Sequence, residues 1–435
     1  MDILNEIVKD ERSLIDWQRE LHTYPELSGR ETRTCEMIKE KLASFDIPFV
    51  DVPDGGILAF ISGEKQGKSV LLRADIDALP VAEDAENLCC PKAVVSAFDG
   101  ISHACGHDAH TAMLLSAAKL LAAKRRSLSG QVILMFERGE ERTCNCIKLF
   151  RYIEQNHIKV DSAFAVHMYA ALESGKLAIN DGPVMASNFC FDVKIKGKSG
   201  HGAYPHTAIN PIDCFAAAYQ AMQSMRMRKI SPYHPFTLTV GQLQAGVTNN
   251  IVPDELFFRG AIRFYYKEDV EIFRAELDRI LAETSAAYGC TYEYTLQRGP
   301  CKPVINDHAC AMLARDAIGA AVGAERISAT DPQLLSETFG KASCMWPGVY
   351  LLLGTNHPEK GMGAEHHHPK FEIDSEVLKY GAAAYAAYAQ AFLSSDISTE
   401  GRGYHGSFAE MYAEQGVPPQ FVAYLRGELD TLDLG

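Results

Sequence analysis

Apolar positions along residues 3–44 recur at helical spacing, with Leu14, Ile15, Trp17 and Leu21 forming one stripe and Met37, Ile38 and Leu42 another. Pro25 divides the two. Ser28 followed three residues later by Glu31 has capping-box spacing and predicts the start of the second helix. His22, in LHTYPELS between them, reads as a histidine satisfied within a turn. Strands are predicted at 56–61 and 69–73, the second running into Ala74-Asp75-Ile76-Asp77. An apolar helix is predicted from Ala112, carried by Met113, Leu114, Leu115, Leu120 and Leu121. Two more apolar strands follow, QVILMF (131–136) and SAFAV (162–166), ending in Glu137-Arg138-Gly139-Glu140-Glu141 and at His167. Apolar strands separated by helices, with acids and histidines at the strand ends, predict an α/β fold with its chemistry on one sheet edge.

The pattern changes near Met185. Phe189, Phe191, Val193 and Ile195 alternate as in a half-buried strand, and a Gly-rich loop GKSGHGAYPH (197–206) follows. A helix over 209–228, strands at 236–243 and 255–264, a helix over 268–287 and a strand at 290–296 give the order β-α-β-β-α-β. That order is the compact ferredoxin-like sandwich, here inserted as a satellite domain. From Pro303 the α/β pattern resumes, with a helix over 307–322, a strand at 349–354 and an Ala-rich helix over 375–393. The expected division is a catalytic domain in two parts, 1–185 and 298–395, around an inserted domain, 186–297. A tail, 396–435, has no assigned role.

Composition narrows the function. A formal charge of −14 over 435 residues argues against a nucleic-acid partner, which needs a basic patch. The charged N-terminal stretch lacks the apolar core of a signal peptide, and no apolar run is long enough to span a bilayer. A cytoplasmic protein without a membrane partner is expected. In that compartment the twelve cysteines read mostly as reduced thiols. Cys144-Asn-Cys146 is too closely spaced for a zinc knuckle and reads as structural or incidental.

The densest chemistry is His103–Thr111, HACGHDAHT, with one thiol, three imidazoles and one carboxylate. Thiolate and imidazole together select zinc-like metals over calcium or magnesium. Taken alone, the stretch also fits a buried cysteine beside solvated histidines at a helix entrance. Asp77 is a candidate carboxylate for the same centre, on the metal or behind its ligands.

Several motifs occur together in order: RxxLHxxPELSxxExxT (19–34), RADIDALP (73–80), HACGHDAHTAMLL (103–115), Glu140-Glu141, the strand-end His167, GKSGHGAYPH, NIVPDELFFRGAIR (250–263) and HHHP (366–369). This set resembles the aminoacylase/carboxypeptidase G-like metallopeptidases. Within them it is similar to the amidohydrolase branch of hippurate hydrolase, indole-acetyl-amino-acid hydrolases and N-acetyl-diaminopimelate deacetylase. The resemblance covers roughly residues 14–393. It implies a catalytic domain of zinc-peptidase type and two divalent metals per subunit, held by Cys105, His107, Glu141, His167 and His367. His367 stands two before Pro369, as in the family's H-x-P, with His366 and His368 as register alternatives. It further implies Glu140 as general base and His201 of the inserted domain as a second catalytic group. Asn250 and Arg263 would bind the substrate carboxylate, and Asp77 and Asp108 would act behind the ligands. His103, His110 and His206 are left as supporting or structural.

The expected reaction is cleavage of the amide of an N-acyl amino acid or small peptide-like substrate by a metal-activated water. Zinc, manganese, cobalt and nickel all suit the ligands. Relatives imply a homodimer or higher homo-oligomer, with the inserted domain as lid and dimerisation element. Glu140 and Glu141 are neighbours and would face opposite ways on an extended strand, so irregular backbone is needed there. The chain departs from the family at Arg138-Gly139, where Pro-Ala is usual, at Thr338, where Asp is usual, and after His167, where a proline is common. Two other readings stand: Cys105 as a nucleophile with His107 as base, and a metal-binding but catalytically silent fold that binds a ligand or protein.

Overall fold

The computed structural model describes residues 3–142, 146–298, 302–414, 417 and 419–429. Cys144 lies outside them, and Cys146 is a buried free thiol. The chain divides into two compact units, one of Met1–Val184, Val304–Asp331 and Lys341–Phe408, the other of Met185–Pro303, Pro332–Gly340 and Ala409–Gly435. The 396–435 tail expected as a separate stretch is thus divided between them and carries helices at Phe408–Ala413 and Pro419–Arg426.

The first unit opens with helices α1 (Ile3–Val8), α2 (Glu11–Thr23) and α3 (Thr32–Ser44). Strands β1 (Phe49–Val52), β2 (Gly56–Ser62) and β3 (Lys65–Asp75) follow, then α4 (His107–Ala123) and β4 (Ser129–Glu137). Next come α5 (Cys146–Gln155), β5 (Ser162–Glu173) and β6 (Leu177–Ala178). Together with the strands Gly348–Asn356 and Ile327–Ser328 they form an eight-stranded mixed sheet, ordered β1, β2, β4, β3, β5, Gly348–Asn356, β6, Ile327–Ser328. Strands β4, β3, β5 and Gly348–Asn356 run parallel. Consecutive residues along β3 (Val70, Leu71, Leu72) and β4 (Val132, Ile133, Leu134) are all fully buried. Both sheet faces are therefore covered, as a parallel sheet requires.

Beyond its polar first turn, α4 is mostly apolar and buried along nearly its whole length, which suits a helix enclosed in a core. The Ala-rich helix Leu378–Ser394 packs on it. Small residues permit that approach: a Cβ on Gly381 would fall 2.1 Å from Met113 Sδ.

Three local expectations change. The second helix starts at Thr32 with Glu31 as its N-cap, not at Ser28. The Ser28 hydroxyl donates instead to Asp77 Oδ2 at 2.6 Å. Helix α4 begins at His107 rather than Ala112, because Gly106 adopts φ +89° and turns the chain into the helix there. Strand β5 runs on to Glu173, so His167 lies within it, paired with Leu352 of the neighbouring strand.

In the second unit the strands Ser187–Lys196, Thr237–Ala245, Glu255–Phe264 and Thr291–Arg298 form an antiparallel sheet. Helices Pro211–Lys229 and Lys267–Tyr288 bury Met222 and Phe273 in one core with Phe191 and Phe258 of the sheet.

Candidate metal centre

The parallel register puts the C-terminal ends of β3 and β4 side by side, with Asp75 opposite Glu137. Side chains alternate along a strand, so Arg73 and Asp75 share a direction, and Asp77 follows two residues past the strand's end. All three are buried. Arg73 bonds Asp75 Oδ2 through Nη1 at 2.8 Å and Glu137 Oε2 through Nε at 2.7 Å. Burial alone would raise the Asp75 pKa, but Arg73 and the nearby histidines hold it well below the usual carboxylate range.

The imidazoles around this edge have their protons placed by their partners. His107 donates Nδ1–H to Asp77 Oδ1 at 3.2 Å. His167 donates Nδ1–H to the Met168 carbonyl at 2.6 Å. In both rings the lone pair is then on Nε2, the arrangement of metal-binding histidines backed by an acceptor. His110 is the reverse case. Its Nε2 accepts the Met168 N–H at 2.8 Å and its Nδ1–H goes to Asp75 at 2.6 Å, so neither nitrogen remains for a metal. His110 thus stays structural although it lies within the same cluster as Asp75, His107 and His167.

Two buried polar atoms lack hydrogen-bond partners and point at one space, His107 Nε2 and Glu141 Oε1, 4.0 Å apart. Leaving such atoms unsatisfied costs roughly 1–3 kcal/mol each, and a divalent ion would satisfy both. Ligand atoms of Cys105, Glu141 and His367 lie within 4.8 Å of one another, as do those of His107, Glu140 and Glu141. Cys105 Sγ also lies 3.7 Å from His167 Nε2. Sulfur, nitrogen and oxygen donors converging here fit a divalent transition metal. Burial pushes the Cys105 thiol well above its ordinary range, a cost that a cation at the sulfur offsets. Burial also opposes a charge on His107, but Asp75, Cys105 and Asp77 together outweigh it and favour a cation at Nε2, a proton or a metal.

The Glu140–Glu141 pair sits on a 3-10 turn, Glu140–Arg142, entered through Gly139 at φ +68°. This is the irregular backbone that brings both carboxylates to one side. The turn is held from behind. Glu31, fully buried, accepts from the Gly139 N–H at 2.9 Å and from Arg138 Nε at 2.8 Å. Asp77 Oδ2 accepts the Glu141 N–H at 3.1 Å. Among the three late histidines, His367 adopts φ +65° and ties its N–H to the Ala104 carbonyl, which places its Nε2 3.2 Å from Glu141 Oε1. His368 is exposed, with its Nδ1 accepting from the Lys370 N–H.

The comparisons with known proteins bear on this geometry directly. The model of peptidase family M20/M25/M40 matches residues 71–391. The chain belongs to this family. It is 32% identical to thermostable carboxypeptidase 1 of Saccharolobus solfataricus over 402 residues, 90% of this chain and 99% of that protein. It is also 32% identical to the N-acetylcysteine deacetylase of Bacillus subtilis, over 86% of this chain and 96% of the relative. A solved Bacillus subtilis structure, described as a dinuclear metal binding peptidase of the M20 family, superposes with a TM-score of 0.76 at 30% identity, covering 88% of this chain and 98% of that one. As a member of the M20 family the chain is a hydrolase of amide bonds.

This M20 protein carries the other predicted residues as follows. Asp108 faces away from the cluster and accepts from Gln18 Nε2 at 2.6 Å and His22 Nδ1 at 2.8 Å. His22 is not in a turn but buried at the end of α2, with its Nε2 bonded to Glu83 at 2.9 Å. His103 is buried with its Nδ1 unpartnered. In the second unit, His201 pairs with Ile251 across a short ladder, and the Asn250 carbonyl accepts the Gly202 N–H. His201 Nδ1 accepts the Ala203 N–H at 3.0 Å, which leaves the proton of the neutral ring on Nε2. Arg263 donates to Ser336 Oγ at 2.9 Å, and His206 is exposed in a 3-10 turn.

From the sequence alone Asp75 has no assigned role, Glu31 reads as a capping-box partner, Arg138 as a departure from the family and His22 as a turn histidine. Alternation along RADID was a usable signal for Asp75. The other three carry no local signal, because their partners are far away in the chain.

Proposed function

We propose that this chain cleaves the amide of an N-acyl amino acid or a small peptide-like substrate, with two divalent ions held by Cys105, His107, Glu141, His167 and His367. The unsatisfied, converging His107 Nε2 and Glu141 Oε1 carry this reading. The relatives named a carboxypeptidase and an N-acetylcysteine deacetylase support the substrate class. When bound, the ions supply a water acidic enough to act at neutral pH and polarise the amide carbonyl. Glu140 takes the proton of the attacking water and returns it to the departing amine. Asp77 keeps the His107 proton on Nδ1. His201 offers its Nε2–H to the developing oxyanion, a donor worth about 3 kcal/mol, and Asn250 and Arg263 receive the substrate carboxylate. Zinc or manganese as the metal, a cytoplasmic location and a homodimer complete the proposal; no described helix is long and apolar enough to cross a membrane.

The cysteine-nucleophile reading is the weaker one. His107 gives its Nδ1–H to Asp77, and Glu140 and the other three candidate ligands would be idle. The silent fold is not favoured beside relatives that are named hydrolases.

The test is amine release from a panel of N-acyl amino acids after chelator treatment and after return of zinc or manganese. Activity should vanish and return, and Glu140→Gln should lower kcat by roughly 10²–10⁴ with metal content unchanged. Activity indifferent to chelator but abolished by a thiol alkylator would hand the role to Cys105.

A further inference from the structure

His366 is outside the proposed ligand set, yet its ring lies against it. Its Nε2 accepts the Ala170 backbone N–H at 3.2 Å. A backbone amide can only donate, so Nε2 supplies the lone pair and the proton of the neutral ring sits on Nδ1. That nitrogen is 3.7 Å from Cys105 Sγ, within reach of the larger sulfur atom. The ring is wedged in place, stacked on Tyr169 at an interplanar angle of 11° and packed against Phe371 with centroids 5.0 Å apart. Turning it over would remove the acceptor from the Ala170 N–H. The same proton placement keeps Nδ1 from acting as a metal ligand.

We propose that His366 donates an N–H···S hydrogen bond to the Cys105 thiolate, and thereby sets how much charge the sulfur gives to a bound metal. It is a positioning residue that acts through Cys105, not a sixth ligand. The inference rests on Cys105 being a ligand. Its physical basis is general: hydrogen bonds from behind a ligand fix its orientation and donor strength, and a thiolate in a buried site needs compensation from more than one side.

Cobalt(II) loaded into the full chain reads the sulfur directly, through its near-ultraviolet thiolate-to-metal charge-transfer band. Cobalt per chain is counted in parallel. His366→Leu should keep its cobalt and shift the band to longer wavelength, because a sulfur that loses a donor gives up its electron more easily. His366→Asn, whose amide nitrogen takes the place of Nδ1, should leave the band near its original position. His366→Gln, whose nitrogen lies nearer the place of Nε2, should follow the Leu variant and stands in for it should that variant not fold. A band unmoved in the Leu and Gln variants overturns the inference. Loss of a cobalt equivalent in His366→Leu overturns it too, by making His366 a ligand. A wild-type protein that binds cobalt without any such band would remove Cys105 from the ligand set, and the proposed metal assignment would fall with the inference.

Discussion

A histidine clamped between two carboxylates is held in its charged form, and His22 is such a residue. Burial by itself would lower its pKa, but the hydrogen bonds and charges of Asp108 and then Glu83 outweigh it and raise the value to about 9. Lys92 adds a bond to Glu83 at 2.8 Å. The same contacts hold Asp108 well below its ordinary range despite its burial. Asp108 follows His107 directly, so the bridge anchors the first turn of α4 from the side away from the candidate metals. A pKa raised on folding stabilises the protein below the unfolded value of 6.5, and the contribution is lost as pH rises toward 9. The size is on the order of 3 kcal/mol. Denaturant titrations from pH 6 to pH 9.5 should show stability falling for the wild type, with a flatter profile for His22→Gln. Parallel profiles for the two proteins would refute the assignment.

At the scale of an element, the 3-10 turn bearing Glu140 depends on the loop before α3. Glu31 and Ser28, distant in the chain from the turn, reach Gly139, Arg138 and Asp77. Arg138 also donates to the Gly29 carbonyl at 3.0 Å. This explains the departure from Pro-Ala: with a fully buried Glu31 beneath the turn, a guanidinium at 138 supplies the compensating charge. Arg138→Ala would leave that carboxylate buried without its countercharge, held only by the N–H groups of Gly29 and Gly139, which costs about 3 kcal/mol. Glu31→Gln combined with Arg138→Ala should recover part of it. Unfolding midpoints of the wild type and the two variants decide the matter, and a loss below about 1 kcal/mol for Arg138→Ala would show the pair to be merely superficial.

For the whole molecule, the candidate ligands come from four stretches of chain, around 105–107, 140–141, 167 and 367. An unfolded chain cannot assemble them, so metal binding adds to folding stability by mass action, about 2.7 kcal/mol at a hundredfold excess over Kd. Calorimetry should show Tm falling after chelation and rising with added zinc in a concentration-dependent way. A Tm indifferent to metal would count against the centre.

The sequence by itself determined the α/β pattern of the first unit, because apolar runs and helical stripes are local properties of neighbouring residues. The motif with Cys105 and His107, and the acids after β4, were legible for the same reason. The H-x-P spacing favoured His367 among the three late histidines, but only the tertiary structure decided how it faces Glu141, since a left-handed φ and a bond to Ala104 set its position. It also decided the proton positions on His107, His110, His167 and His366, which depend on acceptors and donors contributed by other elements. Ser28 has the spacing of a helix cap, yet a carboxylate 49 residues away takes its hydroxyl. Local preference is worth about 1 kcal/mol at a cap, and a hydrogen bond to a buried carboxylate, worth about 1.5–3 kcal/mol, outweighs it.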